Sequence, residues 1–207
     1  MDKSSRLHRY VFEALERSWV YNLNQVFLGA GKKRHVTGFL RGLEYQSLLD
    51  IGCGPGEYAE LAHGPYLGID TSESFIRSCR ERFAQDPTKV FMHADATTVQ
   101  VPGRYDLALL NSVMHHLTDE EVTRLVAWVA RSARYLFILD LYPVRWNPLS
   151  RWFYAMDRGH YVREVATQKA LILQHPAMRL VKEGSAWSPN CVYRHSLFIF
   201  ESTAAAN

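Results

Sequence analysis

The chain has 207 residues, of which 47% are hydrophobic and 22% charged, and its formal net charge is +3. Its length suits one globular domain, and no apolar run reaches the roughly 20 residues that a membrane-spanning helix needs. The charges are interspersed rather than gathered in one stripe, so nucleic-acid binding is disfavoured, and the three cysteines are too widely separated to predict a metal site.

Residues 1–44 predict a helical cap in front of the main fold. Apolar side chains recur at helical spacing there, and Gly29-Ala30-Gly31 interrupts them. The basic run Lys32-Lys33-Arg34 that follows does not match a phosphate loop, because the earlier glycine and the following Ser or Thr are missing. We therefore predict a solvated turn between helices. The amino terminus also lacks the apolar centre of a signal peptide, which favours a cytoplasmic protein without membrane insertion.

A glycine-rich turn follows the first apolar run of the main fold. Leu48-Leu49-Asp50-Ile51 leads directly into Gly52-Cys53-Gly54-Pro55-Gly56. This pattern predicts a buried strand, a tight turn and a helix from about Glu57 to Ala62 whose first N–H groups face a bound anion. Glu57 stands where a dinucleotide-binding loop has its last glycine, which disfavours NAD and FAD. Asp70 ends the next apolar run, where a carboxylate can accept hydrogen bonds from both hydroxyls of a ribose.

Strands and helices alternate through the rest of the chain, which predicts a parallel sheet with ligands at the carboxyl ends of its strands. Ser72 and Thr118 are the predicted N-caps of two helices. The predicted strands are Ser47–Ile51, Tyr66–Ile69, Lys89–His93, Tyr105–Leu110 and Arg134–Leu141. The predicted helices are Glu73–Ala84, Asp119–Ser132 and Val165–His175. A final hairpin is predicted from Arg179–Trp187 and Val192–Ser202.

These motifs resemble those of the class I S-adenosylmethionine-dependent methyltransferases, and most closely the small-molecule branch that includes the ubiquinone and menaquinone methyltransferases. The matching residues are Asp50, Gly52, Gly54, Gly56 and Asp70, then His93-Ala94-Asp95-Ala96 and the run from Asn111 to Leu117. The resemblance implies an α/β fold, a Rossmann-like three-layer α/β/α sandwich. Its seven-stranded sheet is mostly parallel with one antiparallel strand. The whole chain, 1–207, would then be a single methyltransferase domain.

The resemblance also implies the cofactor and its contacts. S-adenosylmethionine is the expected methyl donor, S-adenosylhomocysteine the product, and no metal is required. The three glycines of the turn wrap the methionine portion, Asp50 contacts its ammonium group, and Asp70 holds the ribose. Asp95 contacts the adenine unless it only caps its own turn, and Ala96 contributes a backbone N–H. Asn111 lies at the same rim, and it does not continue as Asn-Pro-Pro-Tyr, which disfavours methylation of DNA bases.

Three histidines are candidate general bases: His115, His116 and His160. An imidazole titrates near neutral pH, so it can take a proton from a hydroxyl or an acidic carbon of the acceptor. A carboxylate nucleophile would need no base. The alternative for the His115-His116 pair is a hydrogen-bonded structural role beside the cofactor pocket.

Residues 142–164 form an insertion after the fifth strand, rich in aromatic residues and arginine, and they predict a substrate lid. Its candidate acceptor contacts are Tyr154, Arg158, His160 and Tyr161, and Arg145, Arg151 and Arg163 are further candidates for holding a carboxylate or phosphate. The alternative is an amphipathic helix that packs on the sheet.

The prediction is therefore methyl transfer to a small-molecule acceptor, aromatic or anionic, by in-line attack on the sulfonium methyl. Two alternatives stay open: a cofactor-binding regulatory or partner subunit without catalysis, and a methyltransferase acting on RNA or protein. The oligomeric state is not predicted.

Overall fold

The structure is a computed structural model that describes residues 32–142, 144, 146–148, 150, 160–188 and 193–204. The predicted helices before residue 32 and the candidate residues Arg145, Arg151, Tyr154 and Arg158 lie outside the described residues. In chain order the elements are α1 (32–40), β1 (Leu48–Ile51), β2 (Tyr66–Asp70), α2 (Glu73–Arg82), β3 (Lys89–His93), β4 (Tyr105–Asn111), α3 (Asp119–Ser132), β5 (Ala133–Tyr142), α4 (Val165–Leu173), β6 (Met178–Trp187) and β7 (Arg194–Ser202). Two short 3₁₀ helices cover Ala59–Leu61 and Met114–His116.

The seven strands form one sheet in the order β3-β2-β1-β4-β5-β7-β6. The neighbouring strand pairs β3–β2, β2–β1, β1–β4 and β4–β5 are parallel, whereas β7 runs antiparallel to both β5 and β6. The chain leaves β1 towards β2 and β3 on one side, and β4 continues towards β5 on the other side. The topological switch point therefore lies between β1 and β4, where α/β proteins bind their ligands. The predicted Rossmann-like sheet with one reversed strand is confirmed.

Helices cover both faces of the sheet, so its central strands are buried on both sides, as their continuous apolar sequences require. On one face, α3 and α4 contribute Val122, Leu125 and Ile172 to the core. On the other face, α1 contributes Val36 and Leu40, which lie four residues apart, and α2 contributes buried side chains as well. None of the described helices is long and apolar enough to cross a membrane.

Both predicted N-caps are present, because a side-chain oxygen satisfies a backbone N–H that has no partner within the helix. Ser72 accepts a hydrogen bond from Phe75 N at the start of α2. Thr118 accepts one from Glu121 N at the start of α3, while the Glu121 carboxylate accepts one from Thr118 N, which completes a capping box. These caps explain why the predicted starts of the two helices agree with the structure.

Two local predictions are wrong. The predicted helix from Glu57 to Ala62 is only a three-residue 3₁₀ turn, Ala59–Leu61, because Gly54 and Gly56 take positive φ and leave few residues for helical turns. A helix dipole therefore does not act on the ligand at this loop. The predicted solvated turn at residues 32–34 is instead the first turn of α1, since Val36 and Leu40 give this segment an apolar face to bury.

Candidate active site

The glycine-rich turn lies at the carboxyl end of β1, and three of its residues need backbone conformations that favour glycine. Gly52, Gly54 and Gly56 have φ of 72°, 50° and 74°. A Cβ on Gly52 would lie 2.4 Å from Val113 Cγ2, so only glycine lets this turn approach the segment after β4. A Cβ on Gly54 would meet nothing within 4 Å, so this residue presents bare backbone to open space. The turn therefore forms a cradle for a ligand.

Asp50 provides a buried carboxylate beneath this turn, only 1% exposed. Its Oδ2 accepts a hydrogen bond from Tyr66 Oη at 2.8 Å, whereas Oδ1 is buried with no partner in the described part of the chain. Burial raises the pKa of Asp50 to about 7, opposed by the Tyr66 hydrogen bond and assisted by the negative charges of Asp70 and Glu57. An ammonium group would supply both the missing hydrogen bond and the compensating charge. The site therefore fits the amino-acid end of S-adenosylmethionine.

Asp70 ends β2 and is held by two backbone N–H groups. Gly54 N donates to Oδ2 and Ser72 N donates to Oδ1, both at 2.8 Å. A carboxylate oxygen can accept two hydrogen bonds, so each oxygen keeps capacity for a ribose hydroxyl. The first hydrogen bond also joins the carboxylate directly to the glycine-rich turn. Asp70 is thus oriented at the rim of the same cradle.

Asp95 is exposed and caps its own turn. Its Oδ1 accepts hydrogen bonds from both N and Oγ1 of Thr97 at 2.8 Å. The carbonyl of Ala96 accepts a hydrogen bond from Trp128 Nε1, also at 2.8 Å, which fixes the backbone of this loop on α3. The capping interaction is therefore present, and the adenine contacts of Asp95 and Ala96 stay predictions.

Asn111, at the end of β4, belongs to a hydrogen-bonded chain that the sequence did not reveal. Its Nδ2 donates to Tyr58 Oη at 2.9 Å, just after the glycine-rich turn. Ser112 Oγ donates to Asn111 Oδ1 at 3.5 Å, and Lys32 Nζ donates to Ser112 Oγ at 2.9 Å. The backbone of Ser112 has φ of 58°, which is uncommon for a residue other than glycine. The chain of contacts connects the cofactor cradle to the start of α1.

His115 pairs with Asp140, a residue that the sequence analysis missed. His115 Nδ1 hydrogen-bonds to Asp140 Oδ1, and the two side chains are 5% and 1% exposed. The carboxylate also accepts hydrogen bonds from the backbone N–H groups of His115, at 3.0 Å, and Leu141, at 2.6 Å. Asp140 was overlooked because it lies within an otherwise apolar run, Leu136 to Leu141. A charged residue near the carboxyl end of such a run is the signal that could have identified it.

The electrostatics of this pair determine which nitrogen of His115 is basic. Burial would raise the pKa of Asp140, but His115 and the two backbone N–H groups outweigh it and hold the pKa below the usual value. Asp140 is therefore ionised and can only accept, so Nδ1 carries the proton of the neutral imidazole. Nε2 is then the nitrogen that can accept another proton. His116 is exposed, and its ring centroid lies 4.2 Å from that of His115.

The end of the insertion returns to this pair. Tyr161 N donates to the carbonyl of His115 at 3.0 Å, which brings the exposed residues His160 and Tyr161 to the same region. Arg163 is not available as a substrate clamp, contrary to the prediction. Its guanidinium is buried and donates to Asp119 Oδ1 and to the carbonyls of Met114 and Leu117, so it fastens the insertion to the segment after β4.

Comparison with known proteins tests the resemblance. A family described as a methyltransferase domain matches residues 48–135, the segment that carries all the predicted cofactor contacts. Residues 48–135 of this chain therefore match a methyltransferase domain, as the resemblance predicts. This match agrees with the predicted methyl donor, S-adenosylmethionine.

Two curated relatives are similar to this chain over short alignments. The chain is 33% identical over 82 residues to a trans-aconitate 2-methyltransferase of Afipia carboxidovorans, covering 37% of this chain and 31% of the relative. It is 32% identical over 89 residues to the enzyme of the same name from Rhodopseudomonas palustris, covering 40% of this chain and 34% of that one. The chain thus spans about a third of the length of the curated relatives it matches.

Solved structures share the fold over most of this chain. A magnesium protoporphyrin IX methyltransferase from Synechocystis, crystallised with S-adenosylhomocysteine, has a TM-score of 0.68 at 18% identity, over 90% of this chain and 88% of that one. An N-methyltransferase from Bradyrhizobium japonicum, also with S-adenosylhomocysteine, has a TM-score of 0.63 at 12% identity, over 92% and 91% of the two chains. At these identities the likeness establishes the fold.

Proposed function

We propose that this protein transfers a methyl group from S-adenosylmethionine to a small-molecule acceptor and that His115, positioned by Asp140, is the general base. One observation carries the methyl-transfer part. Asp50 and Asp70 flank a glycine turn that leaves open space, and the buried Oδ1 of Asp50 has no partner among the described residues. This arrangement has the charges and hydrogen-bond acceptors that the amino-acid and ribose parts of the cofactor require.

The chain's own residues do the binding and orienting. When bound, S-adenosylmethionine supplies a methyl group that its sulfonium already activates. Asp50 would hold the ammonium group and Asp70 the ribose, while the bare backbone at Gly54 lets the methionine portion approach closely. Because the donor is already activated, the protein mainly has to align the acceptor and exclude water.

His115 would remove the proton from an acceptor hydroxyl or acidic carbon. The proton moves to Nε2, because Nδ1 already donates to Asp140. The resulting imidazolium is stabilised by the ionised carboxylate beside it, which is itself held by two backbone N–H groups. Asp140 thus acts as a positioning residue. General-base catalysis of this kind contributes about a hundredfold to ten-thousandfold to the rate.

The exposed residues His160 and Tyr161 are the proposed acceptor contacts within the described insertion. The hydrogen bond from Tyr161 N to the carbonyl of His115 supports this role, because it fixes these residues beside the proposed base. Tyr154 and Arg158 lie outside the described residues, so no structural argument is attached to them.

Calorimetry with S-adenosylhomocysteine tests the cofactor part. Wild type should bind, whereas Asp70→Ala should bind at least about tenfold more weakly, because each lost hydrogen bond to a charged group costs about 1.5–3 kcal/mol. Absence of binding by correctly folded wild type would refute the proposal, as would full affinity of Asp70→Ala.

Transfer of labelled methyl groups to candidate acceptors tests the base. His115→Ala and Asp140→Asn should both lower kcat by about a hundredfold or more, and the pH profile of the residual rate should lose its lower limb. His116→Ala is the matched control, because its side chain is exposed and next in sequence, and its kcat should stay near wild type. Equal rates in all three variants would reject His115 as the base.

A further inference from the structure

We infer that His195 and Lys32 form a binding site for an anionic group of the acceptor, a carboxylate or a phosphate. The inference rests on the proposed function and names its substrate class. The two residues come from elements that the sequence analysis did not connect: Lys32 begins α1, and His195 lies near the start of β7.

His195 is an unusual buried side chain. It is 0% exposed, and neither Nδ1 nor Nε2 has a hydrogen-bond partner within the described residues. Buried polar groups in native proteins are nearly always paired, because an unpaired one loses its hydrogen bonds to water and forms none in the folded protein. Such an exception is explained when a ligand supplies the missing partner.

The position of His195 places it near the proposed base. In the sheet it pairs with Leu141 of β5, the residue after Asp140, and with Ala186 of β6. Side chains alternate along a strand, so His195 lies on the same face as Leu197, which packs against the core formed by α1. His195 is therefore at the ligand-binding edge of the sheet, on the side from which Lys32 approaches.

The charges around His195 favour an anion. Burial, followed by the positive charge of Lys32, lowers the pKa of His195 to about 3, whereas the negative charge of Asp140 acts in the opposite direction. The imidazole is therefore neutral, with one N–H to donate, and the ammonium group of Lys32 is near enough to affect it. An anion could accept a hydrogen bond from His195 and lie near the positive charge of Lys32.

Contacts of Lys32 connect this site to the methyl donor. Lys32 donates to Ser112, whose hydroxyl bonds to Asn111, and Asn111 in turn bonds to Tyr58 beside the glycine-rich turn. An anion held by Lys32 would thus lie next to the carboxyl end of β4, the edge of the sheet that also carries the glycine-rich turn and Asp140. This location suits an anchor for the acceptor rather than an unrelated ion site.

The test uses the full chain saturated with S-adenosylhomocysteine and two probes, trans-aconitate and inorganic phosphate. Isotope-labelled histidine reports the His195 ring by NMR, and calorimetry gives the affinity. At least one probe should shift the His195 signals, and the trimethyl ester of trans-aconitate should not. Lys32→Met and His195→Leu should each weaken the affinity about tenfold, the effect of losing one hydrogen bond to a charged group.

Lys33→Met is the matched control, because Lys33 is the next residue and forms a surface ion pair with Glu60. Its affinity for the anion should match wild type. His195→Leu should also raise the thermal unfolding midpoint, because it removes a buried polar group that has no partner among the described residues. A lower midpoint with unchanged anion affinity would assign His195 a structural role instead.

Two further outcomes overturn the inference: His195 signals that move with neither anion, and an ester that binds as well as the acid. These failures are distinguishable from failure of the proposed function. Wild type that binds S-adenosylhomocysteine and transfers methyl groups, but shows no anion effect, rejects only the anion site.

Discussion

Asp50→Asn should stabilise the folded protein while it weakens cofactor binding. Burial raises the pKa of Asp50 from 3.8 to about 7, so the folded protein binds this proton more tightly than the unfolded chain. The contribution of the neutral carboxyl is fully present below about pH 4 and is lost as the pH rises to about 7. An asparagine keeps the shape and can still accept from Tyr66, but it carries no charge at any pH.

The size of this effect follows from the pKa. A tenfold change in proton affinity corresponds to about 1.4 kcal/mol, so the difference between 3.8 and about 7 corresponds to about 4 kcal/mol of destabilisation by the ionised carboxylate. The amide introduces an N–H group that also needs a partner, which we take to offset about half of the gain. At about pH 8 we therefore expect Asp50→Asn to be more stable by about 2 kcal/mol, or roughly 4 to 8 °C in Tm.

Thermal melts between about pH 4 and pH 8 measure this effect, and the difference between Asp50→Asn and wild type should grow with pH and level off above about pH 7. Calorimetry near neutral pH in buffers of different ionisation enthalpy should show that S-adenosylhomocysteine binding releases protons from wild type and not from Asp50→Asn, which should also bind more weakly. A difference in Tm that does not change with pH, or a less stable variant at alkaline pH, would refute the reasoning.

Four further substitutions test the fold around the site. Gly52→Ala should cost at least about 2 kcal/mol in chemical denaturation, because its Cβ would lie 2.4 Å from Val113 Cγ2, whereas Gly54→Ala should cost only about 1 kcal/mol yet still weaken cofactor binding in calorimetry. Arg163→Gln should lower the free energy of unfolding by about 3 kcal/mol, because several carbonyls lose a charged donor, and an unchanged Tm would contradict this. Thr118→Ala removes the capping box of α3 and should cost about 1 kcal/mol, measured by the same denaturation curves.

Hydrogen bonds within the insertion show why its arginines could not be assigned from the sequence. Four arginines in an aromatic-rich segment have the same local pattern, so each is equally suited to solvent, to a ligand or to a structural contact. Arg163 is structural because the carbonyls of Met114 and Leu117 lie within its reach in the folded chain. Those residues are more than forty positions away along the chain, and no local pattern encodes that proximity.

The cofactor cradle was predictable because its requirements are local. A turn with positive φ demands glycine, a buried parallel strand demands an unbroken apolar run, and a helix start favours a capping side chain, so Asp50, Asp70 and Thr118 could be placed from their immediate neighbours. The same local rules failed at residues 57–62, where the space left between two glycines and β2 was too short for a helix.

The acceptor side depended on tertiary structure. The residues of the proposed acceptor site come from separate elements: Lys32 from α1, His115 from the segment after β4, Asp140 from β5 and His195 from β7. His195 lies beside Leu141, next to Asp140, because β7 runs in reverse beside β5 in the sheet. Burial and nearby charges set the pKa values of Asp140 and His195, and these properties arise from distance in space rather than from position in the chain. Local sequence therefore determined the proposed site for the methyl donor, whereas long-range packing decided which side chains form the proposed acceptor site.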